Sequence, residues 1–532
     1  MNYPSIFNDV LGPVMRGPSS SHCAASLRIG RLCRDLMDGQ IESALIEFDP
    51  NGSLATTHDS QGSDMGLFGG FLGWEAHDER LPGFRQAIAD AGIDIDIRIV
   101  PLKYDHPNTY QITLKNYRET RQMIAISTGG GMIEVIEIDG AKVSMAGDFF
   151  ETLVYIEQGK TPEKVRRYLE ATVPSDEISF RKGSAGFIQI SAQQFPDDDI
   201  IAELLAMDEV VSVKKLAPVL PVLSRKNLSV PFITCEEMLA YNQDKQLNLW
   251  ELALHYESAR GNISHEQVLS QMRDLVAIMR NAVDTGLRGT HYDDRILGCQ
   301  SGNFKNKMEQ RQLVQGDVLN TIILFVTSIM EVKSSMGVIV AAPTAGACGA
   351  LPGACLGAAD ALGRSEEETV KAMLAAGMIG VFIAAHASFA AEVGGCQAEC
   401  GSGGGMAAAA IVTLMNGTLN QAIAASSIAL QNSFGMICDP VANRVEAPCL
   451  GKNIMAASNA LSCANIALAD YDHLIPLDEV IDAMDKVGKS IHSDLRCTAL
   501  GGLSITKTSK AIEARLNANS PAPNVTTKFK IC

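Results

Sequence analysis

Apolar and polar positions follow three different patterns along this chain, and each predicts a different kind of region. Up to about residue 147, short runs with a period near two are separated by Gly, Pro and Asn, as in SALIEFDP at 43–50, IDIRIVPLKYD at 95–105 and NTYQITLKN at 108–116. Such runs predict strands. Gly129–Gly131 falls between two further strand-like runs and predicts a turn. One helix is expected after the Gly/Pro/Ser-rich opening, and the stretch 52–74 reads as polar and glycine-punctuated. Residues 148–224 are read as strand, helix, strand, strand, helix, strand, a ferredoxin-like (ACT-like) order. From 225 to 532, after a Pro-containing basic linker, the period changes to that of helices. Ala-rich helices there alternate with loops at 342–354, 391–406 and 437–453, and a polar tail ends on Cys532. The fold class is therefore multidomain α+β: an N-terminal α/β domain, a small ferredoxin-like module and a mostly helical C-terminal domain.

Composition narrows the function. The length of 532 residues suits roughly two to four domains. A net charge of −17 argues against nucleic acid or an anionic membrane as the main partner and leaves a small-molecule site open. The opening MNYPSIFNDVLG carries no basic segment followed by an apolar one, so a cytoplasmic location is expected. The thirteen cysteines should then be reduced, serving first as small core residues and next as ligands or nucleophiles. The run 372–391 lacks Asp, Glu, Lys and Arg. Its Ala/Gly content and His386 favour a helix buried on all sides over a membrane span.

The residues with chemical potential lie in the loops. Cys396 and Cys400 occur in AEVGGCQAECGSGGGM, Cys438 in ICDPVANR and Cys449 in EAPCLGKN. Thiolates are good ligands for soft metals and for iron–sulfur clusters. The long spacing differs from the compact CxxCxxC of electron carriers and suits a partly enclosed cluster. Ser19, Ser20 and Ser21 sit at a helix start, where they cap the helix or help bind a carboxylate or phosphate.

Taken together, GPSSSH (17–22), GSLA (52–55), GSD (62–64), HPNT (106–109), GGG (129–131), the APT loop (342–349), AEVGGCQAE (391–399), CDPV (438–441) and PCLGKN (448–453) resemble the motifs of the iron–sulfur-dependent L-serine dehydratases (L-serine ammonia-lyases). The likeness is to forms in which a β-type domain precedes an α-type domain. It implies a [4Fe–4S] cluster on Cys396, Cys438 and Cys449, with one iron left for the substrate. It also implies that Cys532 enters the site as a displaceable ligand. The implied reaction removes water from L-serine and yields pyruvate and ammonia without pyridoxal phosphate. Ser19, Ser20, Ser21, His22, Asn108, Thr344 and Gly346 would hold the substrate, and His22, His58 and His106 are candidates for proton transfer. A homodimer is expected.

Three positions depart from the family pattern. Gln61 stands where a proton-transfer histidine is usual, and an amide is no general base at neutral pH. Cys23 replaces a threonine, and Cys400 an apolar residue. Two alternatives remain open: the same chemistry on threonine, cysteine or a hydroxyaspartate, and a non-catalytic iron–sulfur redox sensor. The substrate-type motifs in 17–64 disfavour the sensor.

Overall fold

The computed structural model describes residues 3–519. Its first part is built on a six-stranded sheet, ordered Asp94–Ile99, Ser43–Phe48, Thr109–Lys115, Thr120–Gly129, Met132–Ile138, Ala141–Met145. Only the first pair runs parallel. Along Ser43–Phe48, buried positions alternate with partly exposed ones, as in a sheet covered on one face. Ala44, Ile46 and Phe48 share their core with Ile29, Cys33 and Leu36 of the Ala25–Leu36 helix.

The polar reading of 52–74 needs correction, because a buried helix, Ser63–Phe71, forms there. Its glycines serve a close approach of backbones. A Cβ on Gly66 would stand 1.9 Å from the Cys23 carbonyl oxygen, and one on Gly70 2.3 Å from that of Leu27. A glycine-punctuated composition here serves a close helix–helix contact, which the Ser26 hydroxyl bridges to Ser63 O at 2.8 Å.

The second part is a four-stranded antiparallel sheet, ordered Val210–Leu216, Phe150–Ile156, Phe187–Ala192, Glu177–Arg181. The helices Glu163–Thr172 and Asp198–Leu205 complete the strand–helix order read from the sequence. Both sheet faces are covered. Val154, Ile188 and Ile190 pack with Val165, Leu169 and Leu204 of the helices. Leu153, Tyr155, Phe187 and Leu216 join the core of the six-stranded sheet. Phe187–Ala192 is consequently buried at every position.

The third part is helical. Ser402–Leu414 packs against Glu366–His386, Leu419–Gln431, Cys449–Leu468 and Ala350–Ala361. Glu366–His386 is long and apolar enough to cross a membrane, yet 78% of its apolar window is buried inside the molecule, as expected of a core helix. The stretch 391–406 is largely helical rather than a loop, comprising Ala391–Gly394, Gln397–Gly401 and the start of Ser402–Leu414. Its glycines again meet neighbours closely: a Cβ on Gly405 would lie 2.7 Å from Leu430 Cδ2.

The first and third parts are stitched together. The turn Ile6–Val10 packs on Glu366–His386, and the Ile6 N–H donates to Glu257 Oε2 at 2.7 Å. Val14–Met15 pairs antiparallel with Ile339–Val340. Gly129 lies against Ala390, just before the first cysteine motif.

Candidate active site

The cysteine motifs converge. The ligand atoms of Cys396, Glu399 and Cys438 all lie within 4.8 Å of one another. Cys497 joins Cys396 and Cys438 in one buried group with Ala391. Backbone pairing sets this up: the Cys438 N–H donates to Leu495 O (2.8 Å), and the Cys497 N–H donates to Cys438 O (3.0 Å). Cys497 adopts φ +61°, a conformation that costs a non-glycine residue energy and often marks functional sites. Cys449 is the first residue of the Cys449–Leu468 helix, so the positive end of the helix dipole faces its thiol.

Electrostatics suit a positively charged occupant. Hydrogen bonding with the Cys396 and Cys497 thiols, and then burial, holds Cys438 far above the ordinary thiol value. Burial, followed by Cys396, raises Cys449. Burial, followed by Cys396, Glu399 and Cys449, raises Cys400. These shifts reflect the cost of crowding thiolates in a dry place, and a bound cation reverses that cost. Cations of the chain are already present, Lys333 and Lys452 both acting on Glu399 and Cys449. Lys452 Nζ donates to Ile437 O and Asp439 Oδ1, both at 2.7 Å, and lies 3.9 Å from Cys396 Sγ. Burial opposes its charge, but Cys396, Asp439 and Cys438 outweigh it and hold the ammonium pKa high. Close, buried thiols with a lysine at their edge form a donor set that fits a soft metal or an iron–sulfur group.

Asn453 holds the motif loops together. Its Oδ1 accepts from the Gly349 and Ala350 N–H groups at 3.2 and 2.8 Å. Its Nδ2 donates to Gly346 O and Cys449 O, both at 2.8 Å, and contacts Cys400 Sγ at 3.5 Å. Thr344 Oγ1 donates to Glu399 Oε1 at 2.7 Å. A Cβ on Gly346 would lie 2.9 Å from the same oxygen. Burial raises the Glu399 carboxyl to about 7.

The N-terminal part closes over this group. The Ala345 N–H donates to Ser20 Oγ at 3.1 Å. Ser21 is buried beside Ser20. His22 is fully buried, with Nδ1 3.0 Å from Ser19 Oγ and Nε2 2.8 Å from Thr57 Oγ1. Burial, and then the neighbouring His58, lowers its pKa to about 3, so the ring is neutral. Its 3.7 Å approach to Glu392 Oε1 is therefore a dipolar contact rather than an ion pair. Burial raises the Glu392 carboxyl, while its own N–H and Asn108 pull the other way. Gln61 Nε2 donates to Asn443 Oδ1 at 3.0 Å and contacts Cys497 Sγ at 3.6 Å. The Gln61 departure from the family pattern thus touches a thiol of the group.

The structure brings Cys396 and Cys438 together with Cys449 beside them, and sets Thr344 and Gly346 against Glu399. Ser20 and His22 enter from the other part. His58 is engaged elsewhere, with Nδ1 2.8 Å from Asp64 Oδ1 and its ring against Phe48. His106 Nδ1 accepts the Asn108 N–H at 3.2 Å within its own turn. Cys532 lies outside the described residues. Sequence reasoning missed Cys497, Glu392, Glu399 and Lys452 as members of the site. The two glutamates and the lysine stood inside the quoted motifs and offered a signal. Cys497 offered none.

The chain is similar to known proteins. The family model described as "Serine dehydratase alpha chain" matches residues 244–504. The probable L-serine dehydratase alpha chain of Bacillus subtilis (strain 168) is 35% identical over 285 residues, covering 54% of this chain and 95% of that protein. The L-serine dehydratase alpha chain of Peptoniphilus asaccharolyticus is 34% identical over 281 residues, covering 52% of this chain and 96% of that protein. The probable beta chain of Bacillus subtilis is 34% identical over 222 residues, covering 41% of this chain and all of that protein. With relatives of both chain types and a buried cysteine group where their counterparts meet, this polypeptide belongs to the L-serine dehydratase family.

Proposed function

We propose that the protein is an L-serine ammonia-lyase that converts L-serine to pyruvate and ammonia, with Cys396, Cys438 and Cys449 holding a [4Fe–4S] cluster. One observation carries the reading: loops from both outer parts close on a single buried thiol group, which a substrate-free structural metal would not require. Three thiolates on such a cluster leave one iron able to act as a Lewis acid toward a substrate oxygen.

The chain's own residues have separable tasks. The Ser19–His22 turn and Asn108 line the N-terminal side and suit a carboxylate and an amino group. Ser20 is fixed by the Ala345 N–H, so its hydroxyl is preoriented at no cost during binding. Burial of Cys396, Cys438 and His22 to 2, 5 and 0% exposure excludes bulk water and strengthens every charge interaction inside. The product, 2-aminoacrylate, tautomerises and hydrolyses without further help.

Gln61 and Cys497 support a second reading, in which the same chemistry acts on another β-substituted amino acid. An anaerobic assay of keto-acid release from L-serine, threonine, cysteine and hydroxyaspartate separates the two. L-serine should be the preferred substrate, with activity that depends on iron and survives removal of pyridoxal phosphate. Turnover only of another member of the panel would move the assignment to that substrate, and activity that required pyridoxal phosphate would overturn the mechanism.

A further inference from the structure

The reaction needs a group to take the α-proton, and the position usual for it carries an amide here, Gln61. We propose that Glu392 is the base that accepts the substrate α-proton. The inference rests on the ammonia-lyase reading above.

The candidate bases can be compared by what already engages them. His58 is bound to Asp64 at 2.8 Å. His106 accepts a hydrogen bond from its own turn. Both ring nitrogens of His22 are occupied, by Ser19 and Thr57. Glu399 accepts from Thr344 and sits with the Cys396 and Cys438 sulfurs, so its place is at the metal side. Glu392 differs from all of these. It is only 8% exposed, and its Oε2 has no hydrogen-bond partner among the described residues. Its other oxygen, Oε1, approaches His22 Nδ1 at 3.7 Å.

A buried carboxylate oxygen without a partner is costly, and such groups in folded proteins call for a functional explanation. The position of Glu392 supplies one. It belongs to the Ala391–Gly394 turn, which leads directly into Cys396. It also faces the N-terminal side, where Asn108 and His22 meet it. His22 and Asn108 of the N-terminal part therefore both meet Glu392, on the turn that leads to Cys396.

The step balances as follows. Glu392 Oε2 takes the proton from Cα. The C–H electron pair becomes the second bond between Cα and Cβ, and the Cβ–O bond breaks with its pair on oxygen. The proton on Glu392 passes to the departing hydroxide, which leaves as water. Glu392 ends as the carboxylate it began as, and serine has become 2-aminoacrylate.

The test compares wild-type enzyme with Glu392→Gln and Glu392→Asp, each prepared anaerobically as holoenzyme. Glu392→Gln should lower kcat by about 10²- to 10⁴-fold, the range general bases contribute. Its iron and sulfide content, thermal midpoint and substrate-induced change in the cluster spectrum should match wild type. Glu392→Asp keeps the carboxylate but moves it back, so it should recover part of the rate and show a larger primary isotope effect with α-deuterated substrate. Glu392→Gln turning over within about threefold of wild type would overturn the proposal, because such a loss is far below what a base contributes. So would an aspartate variant no faster than glutamine. The comparison uses whichever amino acid wild type consumes, so failure of wild type on L-serine rejects the substrate reading and leaves Glu392 to be judged separately.

Discussion

At the scale of single residues, the site is held by polar side chains that each serve several partners. Asn453 bonds to backbone groups on both sides of the Gly346–Ala350 turn and to Cys449 O, fixing two cysteine-bearing loops with one amide. Asn453→Ala leaves buried N–H and C=O groups unsatisfied, which costs about 1–3 kcal/mol for each group that finds no water. We expect a total loss of about 2–4 kcal/mol, read as a lower denaturation midpoint with an unchanged slope; a loss under about 0.5 kcal/mol would show that the amide does not hold the loops. At this scale the sequence was partly transparent. Cys396, Cys438 and Cys449 could be named because motifs surround them. Cys497 stands in LRCTALGG, where nothing marks it, and it reaches Cys438 only through backbone pairing between distant segments. Glu392 was in view within a quoted motif, but a glutamate read from sequence is first a surface residue; only its burial beside His22 gives it a chemical meaning.

At the scale of elements, small residues decide where helices can lie. The Ala25–Leu36 and Ser63–Phe71 helices touch backbone to backbone, and the Gly66 Cα faces the Cys23 carbonyl. Gly66→Ala forces a shift of this contact next to Cys23 and His22. A cost of about 1–3 kcal/mol is expected, as for overpacked cores, measured by chemical denaturation of the full chain. A neutral or stabilising substitution would contradict the close approach. The same physics explains what the pattern of residues concealed. The Gly-rich stretches read as polar and glycine-punctuated at 52–74 and as a loop at 391–406, because isolated glycine favours turns and loops. Helices form within both, at Ser63–Phe71 and at Ser402–Leu414, because tertiary contact rewards the missing side chain. Strand periodicity was more dependable: Ser43–Phe48 and Thr109–Lys115 formed as read, since alternation reports directly on a half-covered sheet.

At the scale of the whole molecule, the order of parts along the chain says little about where the site lies. The β-type sheet, the ferredoxin-like sheet and the helical part were legible in sequence, but their joining surfaces were not. The four-stranded sheet lends one face to the first part, and the opening turn Ile6–Val10 is packed on a helix of the third. The result is a site that neither outer part completes alone: the thiols of Cys396, Cys438 and Cys497 come from the helical part, and Gln61 and His22 from the other. On the proposed function, this thiol group holds iron and sulfide. The most direct measurement is the iron and acid-labile sulfide content of anaerobically purified wild type and of Cys396→Ala, with thermal unfolding to confirm that both are folded. Wild type should be brown and contain iron and sulfide in equal amounts, and Cys396→Ala should be folded and colourless, contain neither and release no pyruvate from L-serine. A wild type that is active without iron or sulfide, or a Cys396→Ala variant that keeps both, would contradict it.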